Sequence, residues 1–339
     1  MEQLGFEGMP RRLYACTPTR LATWLDCPRR YRMTYLDRPA PPKGPPWAHN
    51  SLGASVHNAL AGWWRRPLRD RTVTTAGDLL ESGWLSDGFA DDAQSLEHRR
   101  RCRAMVEGYV AGLDPRREPL GVERTVATRT DAIAVSGRID RVDDRRLGDG
   151  AGELVVVDYK TGRHLLTTDD VRTSLALALY ALAAERVMRR PCLRVELHHL
   201  PTGSVLAWEH TPESLARQLR RAEAIAAECA EADQQYKAAA ARSAGAADPR
   251  AADPRAADPR AADPRAAGAR ADGSATGGSP PADEVFPPRP GPGCGWCDYR
   301  AHCPEGSAAA QQRRPWDGLG ALATADTEVP SRVASAMVD

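Results

Sequence analysis

The sequence predicts an α/β fold, a central mixed β-sheet flanked by helices, and three features carry that expectation. Helical periodicity marks residues 17–36, 52–64 and 96–113, short β-branched runs separated by turn residues take over from Gly121 to Tyr159, and two apolar or amphipathic helices then bracket a hairpin. Apolar spacing near 3.6 residues marks the first and last of these textures, and alternation with period two marks the middle one.

Residues 17–36 read as one helix opening at a Thr-Pro start, with Leu21, Trp24, Leu25, Tyr31 and Tyr35 on recurrent faces. A proline-rich stretch, Pro39 to Pro46, then breaks the chain. Further helices are expected over 52–64 and 96–113, with residues 65–95 poorly patterned between them. The runs 122–130, 132–140 and 153–159 form a small β-meander. Residues 171–190 follow as an apolar helix, 193–200 and 204–210 as a hairpin, and 212–237 as a long amphipathic helix.

Ala-Ala-Asp-Pro-Arg then repeats four times between Ala246 and Arg265. A proline every fifth residue removes helical hydrogen bonds and leaves almost nothing bulky to bury, so this stretch is expected to be a disordered linker. The expected organisation is an N-terminal helical segment (1–50), a core (51–237), the linker (238–283), a cysteine knuckle (284–305) and a mostly disordered tail (306–339).

The chain has 339 residues, of which 42% are apolar, enough for a substantial core, and a formal charge of +1. Balanced charge hides local asymmetry: residues 1–38 hold seven Arg against four acids, and Arg99, Arg100, Arg101 and Arg103 form a second basic run. Nucleic acid therefore remains an eligible partner. No apolar run approaches a membrane span of about 20 residues and the polar N-terminus has no signal-peptide core, so a cytoplasmic protein is expected. Eight cysteines in such a chain point to metal or cluster ligation before disulfides.

The chemistry is concentrated in Gly137-Arg138-Ile139-Asp140 and Val155-Val156-Val157-Asp158-Tyr159-Lys160-Thr161-Gly162. An acid ending one strand is followed by an Asp-x-Lys ending the next, and two carboxylates from adjacent strands can share one Mg²⁺. Because strand side chains alternate, Asp158 and Lys160 point together while Tyr159 points away. A divalent ion and an ammonium group placed so would suit phosphodiester hydrolysis. Solvated charges at an ordinary strand end are the plainer reading of the triad alone.

These motifs resemble the RecB-like exonuclease branch of the PD-(D/E)XK nuclease superfamily, especially members with an AddB-type iron–sulfur cluster and the CRISPR adaptation nucleases. The resemblance rests on Gly53-Ala54-Ser55-Val56-His57, Gly137 to Asp143, Asp158 to Gly162, Tyr180, Cys27-Pro28-Arg29-Arg30-Tyr31 and the terminal cysteines. It implies a restriction-endonuclease-like core. It also implies Asp140 and Asp158 as ligands of Mg²⁺ or Mn²⁺, joined by His57 and the Tyr159 carbonyl, with Lys160 as the catalytic cation. Tyr180 enters as a catalytic candidate, although Ala176 stands where the family has Gln one turn earlier.

Cys294, Cys297 and Cys303 have C-x₂-C-x₅-C spacing, which suits zinc or an iron–sulfur cluster. With the distant Cys27 as fourth ligand, the resemblance implies a [4Fe-4S] knuckle, zinc being the alternative. Cys16 is the rival fourth ligand; with Cys102, Cys192 and Cys229 it reads as a packing thiol. Arg29, Arg30 and Arg32 are expected on DNA phosphates, and Trp296 and Tyr299 as base-stacking candidates.

Together these readings predict a metal-dependent DNA exonuclease acting on single strands or ends in repair or recombination. The alternatives are a DNA-binding or scaffold protein with a silent core, and a zinc-stabilised interaction module. The sequence has no Gly-x-x-x-x-Gly-Lys-Ser/Thr phosphate loop, so any unwinding would fall to a separate helicase subunit.

Overall fold

A computed structural model describes residues 13–145, 152–246 and 282–319. The repeat segment lies outside these residues. Six strands form one mixed sheet: β1 (Tyr14–Cys16), β2 (Gly121–Arg129), β3 (Ile133–Arg145), β4 (Glu153–Lys160), β5 (Arg194–His199) and β6 (Ser204–Glu209). Their order is β1-β3-β4-β5-β6, with β2 also paired to β3. β1 runs parallel to β3 and β4 parallel to β5; the remaining pairings are antiparallel.

The long β3 organises the sheet. One of its edges is taken by β2 along most of its length, while the other is shared, Ile133–Val135 pairing with β1 and Arg141–Arg145 with β4. Asp140 falls in the interval between those two partners.

Helices cover both faces. Helices α3 (Ala48–Trp64), α4 (Val73–Ser82) and α5 (Asp92–Ala111) pack over Val155, Val157 and Tyr159. On the other face α6 (Thr168–Arg172) and α7 (Leu175–Met188) pack over Leu154 and Val156. β4 is therefore apolar on both sides, which is why Leu154 to Val157 reads as an unbroken hydrophobic run.

A third cluster joins α1 (Pro18–Asp26), α2 (Pro28–Tyr35) and α8 (Pro212–Ala246) around Leu21, Trp24, Tyr31 and Phe286. The expected single helix over 17–36 is two helices. Cys27 takes extended backbone angles, and Pro28, lacking an N–H, opens the second helix. Thr17 caps α1 by accepting from the Arg20 N–H at 3.1 Å. Tyr31, fully buried, donates to Asp233 at 2.9 Å and so ties α2 to α8.

Other differences from the sequence reading have simple causes. Residues 65–95 contain α4, whose Ala76 and Leu80 are buried in a segment otherwise rich in polar groups. The helix expected over 171–190 is split into α6 and α7 by Thr173 and Ser174, Ser174 accepting the N–H of Leu177 as a cap. The tail is ordered further than expected: α10 (Pro304–Ala309) and a 3₁₀ turn at Asp317–Leu319 continue past the cysteines. α9 (Ala282–Val285) precedes them.

Candidate active site

The two acids of the sequence motif meet where β3 and β4 separate. Regular pairing stops at Arg141↔Val157, one residue short of Asp140 and Asp158. The Tyr159 N–H then donates to the Asp140 carboxylate at 2.9 Å. Asp140 is thus mid-strand, not at a strand end as expected. Its neighbours show why it can leave the regular pattern: Ile139 and Val142 enter the same core while Arg141 turns to the opposite face, so the alternation slips by one residue.

Glu123, which the sequence reading passed over, sits opposite that slip. Val122 pairs with Arg141 and Arg124 with Ile139, leaving Glu123 and Asp140 facing each other. Glu123 has φ 49°, a left-handed conformation costly for a side chain within a strand and characteristic of functional sites. His57 on α3 places Nδ1 3.4 Å from Asp140 Oδ1. Ligand atoms of His57, Glu123 and Asp140 lie mutually within 4.8 Å, close enough to share one cation. The signal in the sequence was an acid within a β-run, but only the pairing register brings it to Asp140.

On β4, Asp158 and Lys160 do point together, with Lys160 Nζ 2.5 Å from Asp158 Oδ2, while Tyr159 is buried against His57 on the α3 side. Asp158 Oδ2 is buried and has no hydrogen-bond partner of acceptable geometry, the lysine contact notwithstanding. Burial raises the Asp158 carboxyl above its ordinary range, the Lys160 charge opposes this, and Asp140 adds to it. Glu123 is likewise raised, by burial and then by Asp140. For His57 burial acts downward, but the Asp140 hydrogen bond and the charges of Asp140, Asp158 and Glu123 prevail and raise it. Crowded carboxylates and an orphaned buried oxygen are the features a divalent cation would relieve, so these residues fit such an ion.

Tyr180 on α7 reaches the same place from the other face. Its ring lies over Gly137, where an added Cβ would be 2.5 Å from Tyr180 Cε1. Burial, then Asp158 and Asp140, raise its hydroxyl. Gly53 permits a comparable approach, since a Cβ there would be 3.3 Å from Thr161 Oγ1.

Beneath Tyr159 lies a buried polar network. Arg141 donates to the hydroxyls of Tyr109 (3.0 Å) and Tyr159 (3.1 Å) and pairs with Asp143 (3.0 Å). His198 bridges Tyr109 (2.7 Å) and Glu196 (2.9 Å). These bonds hold β4 from the side opposite Asp158.

A second constellation gathers Cys27, Cys294, Cys297 and Cys303 around one cavity of about 340 Å³. Cys303 Sγ accepts the Gly306 N–H at 3.3 Å, and the Arg29 guanidinium stands 3.7 Å away. Burial raises the Cys297 thiol, and Cys27 and Cys294 are among its electrostatic neighbours. Cys16, by contrast, is buried in the core of α1, α2 and α8, its thiol pushed up to about 11 by burial, so the rival ligand is not at this cavity. Cys102, Cys192 and Cys229 are likewise buried.

The expected DNA-facing arginines divide. Arg29 is buried and engaged by Glu305 (2.5 Å) and Asp283 (3.1 Å), and Arg32 pairs with Asp37 and Asp283, both at 3.3 Å. Both guanidinium charges are thus already paired within the fold. Arg30 remains half-exposed, 3.8 Å from Asp26. Tyr299 is 2% exposed and closed to bases, and Trp296 packs on Trp47 and His49.

A family model of the PD-(D/E)XK nuclease superfamily matches residues 15–304, so the chain belongs to that superfamily. The fold agrees, being a mixed sheet between helical layers with the acids at the splayed strands. Among solved structures, a protein of Eubacterium rectale provisionally described as an exonuclease is similar at 11% identity and TM-score 0.36. That similarity covers 66% of this chain and 84% of that one, and it is too distant to bear on mechanism. No curated protein matches the sequence. No helix among the described residues is long and apolar enough to cross a membrane.

Proposed function

We propose that this chain is a divalent-metal-dependent DNA nuclease of the RecB-like exonuclease branch, acting on single strands or ends. The observation that carries the reading is the convergence of Asp140, Asp158, Lys160 and His57 at one break in the sheet. Asp140, Asp158, His57 and the Tyr159 carbonyl would hold Mg²⁺ or Mn²⁺, and Glu123 joins them by its position. When bound, the ion would lower the pKa of an attacking water and offset charge developing on the scissile phosphate.

The protein groups supply the rest. Lys160, beside Asp158 and half-exposed, orients the water and neutralises a non-bridging phosphate oxygen. The Tyr159 N–H fixes the Asp140 carboxylate, so this ligand is positioned before substrate arrives. Tyr180 closes the side of the site over Gly137 and shields the acids from bulk water.

The four cysteines are proposed to bind a [4Fe-4S] cluster. The four cysteines line one cavity, which gives such a group a place to sit. Arg29 would offset part of the thiolate charge.

The test is a Mg²⁺ and Mn²⁺ titration of cleavage on end-labelled single- and double-stranded DNA, using anaerobically purified protein beside Lys160→Ala. Metal-dependent cleavage by wild type alone supports the nuclease. Absence of cleavage by both would shift the reading to a DNA-binding or scaffold protein, or to one dependent on a separate helicase subunit.

A further inference from the structure

Beside the acid site lies a cavity of about 660 Å³ with the opposite electrostatic character. It is framed by the start of α3, the middle of α5 and the loop after β4. Its wall includes Gly53, one helical turn before His57, and Thr161, the residue after Lys160. Arg101 and Arg163 line it, and none of the described residues around it is an Asp or Glu. Neither arginine makes an ion pair with a described residue, although most other arginines near the sheet do.

The same cavity is lined by His98, which is only 4% exposed and whose Nε2 has no hydrogen-bond partner among the described residues. One face of its ring packs on Phe89, with centroids 5.8 Å apart. Burial, followed by the charge of Arg101, lowers its pKa and keeps the imidazole neutral, able to give or take one hydrogen bond. A buried ring nitrogen without a partner is expensive unless something polar occupies the adjoining space. Cavities of roughly 300–1,000 Å³ suit nucleotide-sized ligands.

We infer that this cavity binds a phosphate-bearing nucleotide of the strand being cut, with Arg101 and Arg163 on the phosphate and His98 on the sugar or base. This rests on the nuclease reading, because it places the subsite next to that metal centre. The acid site repels a bare phosphate until a cation arrives, whereas this cavity attracts one without a cation. A nucleotide seated there would present the neighbouring phosphodiester, not its own, to Lys160. The phosphate could belong to a strand terminus, which would make cleavage end-directed, or to the interior of a threaded strand.

The experiment measures binding of eight-residue single-stranded DNA carrying a 5′-phosphate, a 3′-phosphate or only hydroxyl ends, by fluorescence anisotropy in EDTA so that nothing is cut. Arg101→Gln/Arg163→Gln is compared with wild type and with Arg100→Gln, which lies outside the cavity. The double variant is expected to weaken binding at least about tenfold and to reduce the slope of log Kd against log salt by about one for each phosphate that is no longer neutralised. Arg100→Gln should bind as wild type. A loss confined to one phosphorylated end identifies a terminal phosphate, and an equal loss on all three DNAs an internal one.

Unchanged Kd and salt slope in the double variant, with its melting temperature intact, overturn the inference. Failure of the nuclease reading appears separately, as wild-type protein that binds these DNAs in EDTA yet cleaves none when Mg²⁺ or Mn²⁺ is supplied.

Discussion

The acid site and the cysteine knuckle solve opposite problems of assembly. Asp140, Asp158 and Lys160 come from two adjacent strands within one stretch of about twenty residues, and the sheet positions them by local pairing. Cys27 and the other three cysteines are separated by more than 260 residues and meet only because α2, α9 and the terminal turns pack together. The first site concentrates charge that the fold tolerates; the second, on the proposed ligation, would close the chain. Substitutions should therefore affect chemistry in one and stability in the other.

The largest effect is expected from Cys297→Ser. If the cysteines close the chain as a covalent link would, losing the link costs up to about 5 kcal/mol by the chain-entropy model, although strain and residual structure reduce it. Thermal melting and the visible absorption of anaerobic protein should both fall; retention of both would break the contrast. Asp158→Ala should do the reverse, lowering cleavage by about 10³-fold or more while leaving the melting temperature within error, since it removes a carboxyl whose burial and nearness to Asp140 raise its pKa.

A smaller effect tests whether the polar network under β4 belongs to stability or to chemistry. Burial would raise Glu196, but its bonds to His198 (2.9 Å) and Arg194 (2.6 Å) depress it to about 2 from the ordinary 4.5. A depressed carboxylate stabilises the fold above its ordinary pKa, and that contribution disappears as pH falls from 4.5 towards 2. The shift corresponds to about 3 kcal/mol at most. Denaturant unfolding between about pH 7 and pH 3 should show wild type losing about two thirds of this increment, the rest going only below pH 3, and Glu196→Gln losing little, with a lower starting stability.

The smallest effect, Glu123→Gln, sharpens the comparison most. It should raise the Mg²⁺ concentration needed for half-maximal cleavage by about 10–100-fold without moving the melting temperature. An unchanged metal titration would place Glu123 outside the ion's ligands and confine its role to pairing with Arg138, 2.7 Å away.

Much of this was legible in the residues. The β-meander, the pointing of Asp158 with Lys160 and the cysteine group were readable from period-two alternation and spacing. α4 was missed because two buried apolar side chains, Ala76 and Leu80, in a polar segment give too weak a periodic signal. The division of 17–36 into two helices was written in Cys27-Pro28 but outweighed by the apolar spacing around it. The ion pairs of Arg29 could not be read from its neighbours in sequence, because the acids, Asp283 and Glu305, lie more than 250 residues away.

The sequence by itself determined which chemistry is present: the strand-borne acids, the lysine two residues beyond the second, and thiols spaced for ligation. Those depend on local periodicity, which a single segment carries. Only the tertiary structure decided that Glu123 opposes Asp140, that Asp283 pairs with both Arg29 and Arg32, and that a basic cavity opens beside the acids. Each of these depends on register or on long-range packing, and a one-residue shift in either would turn the same side chains to the other face.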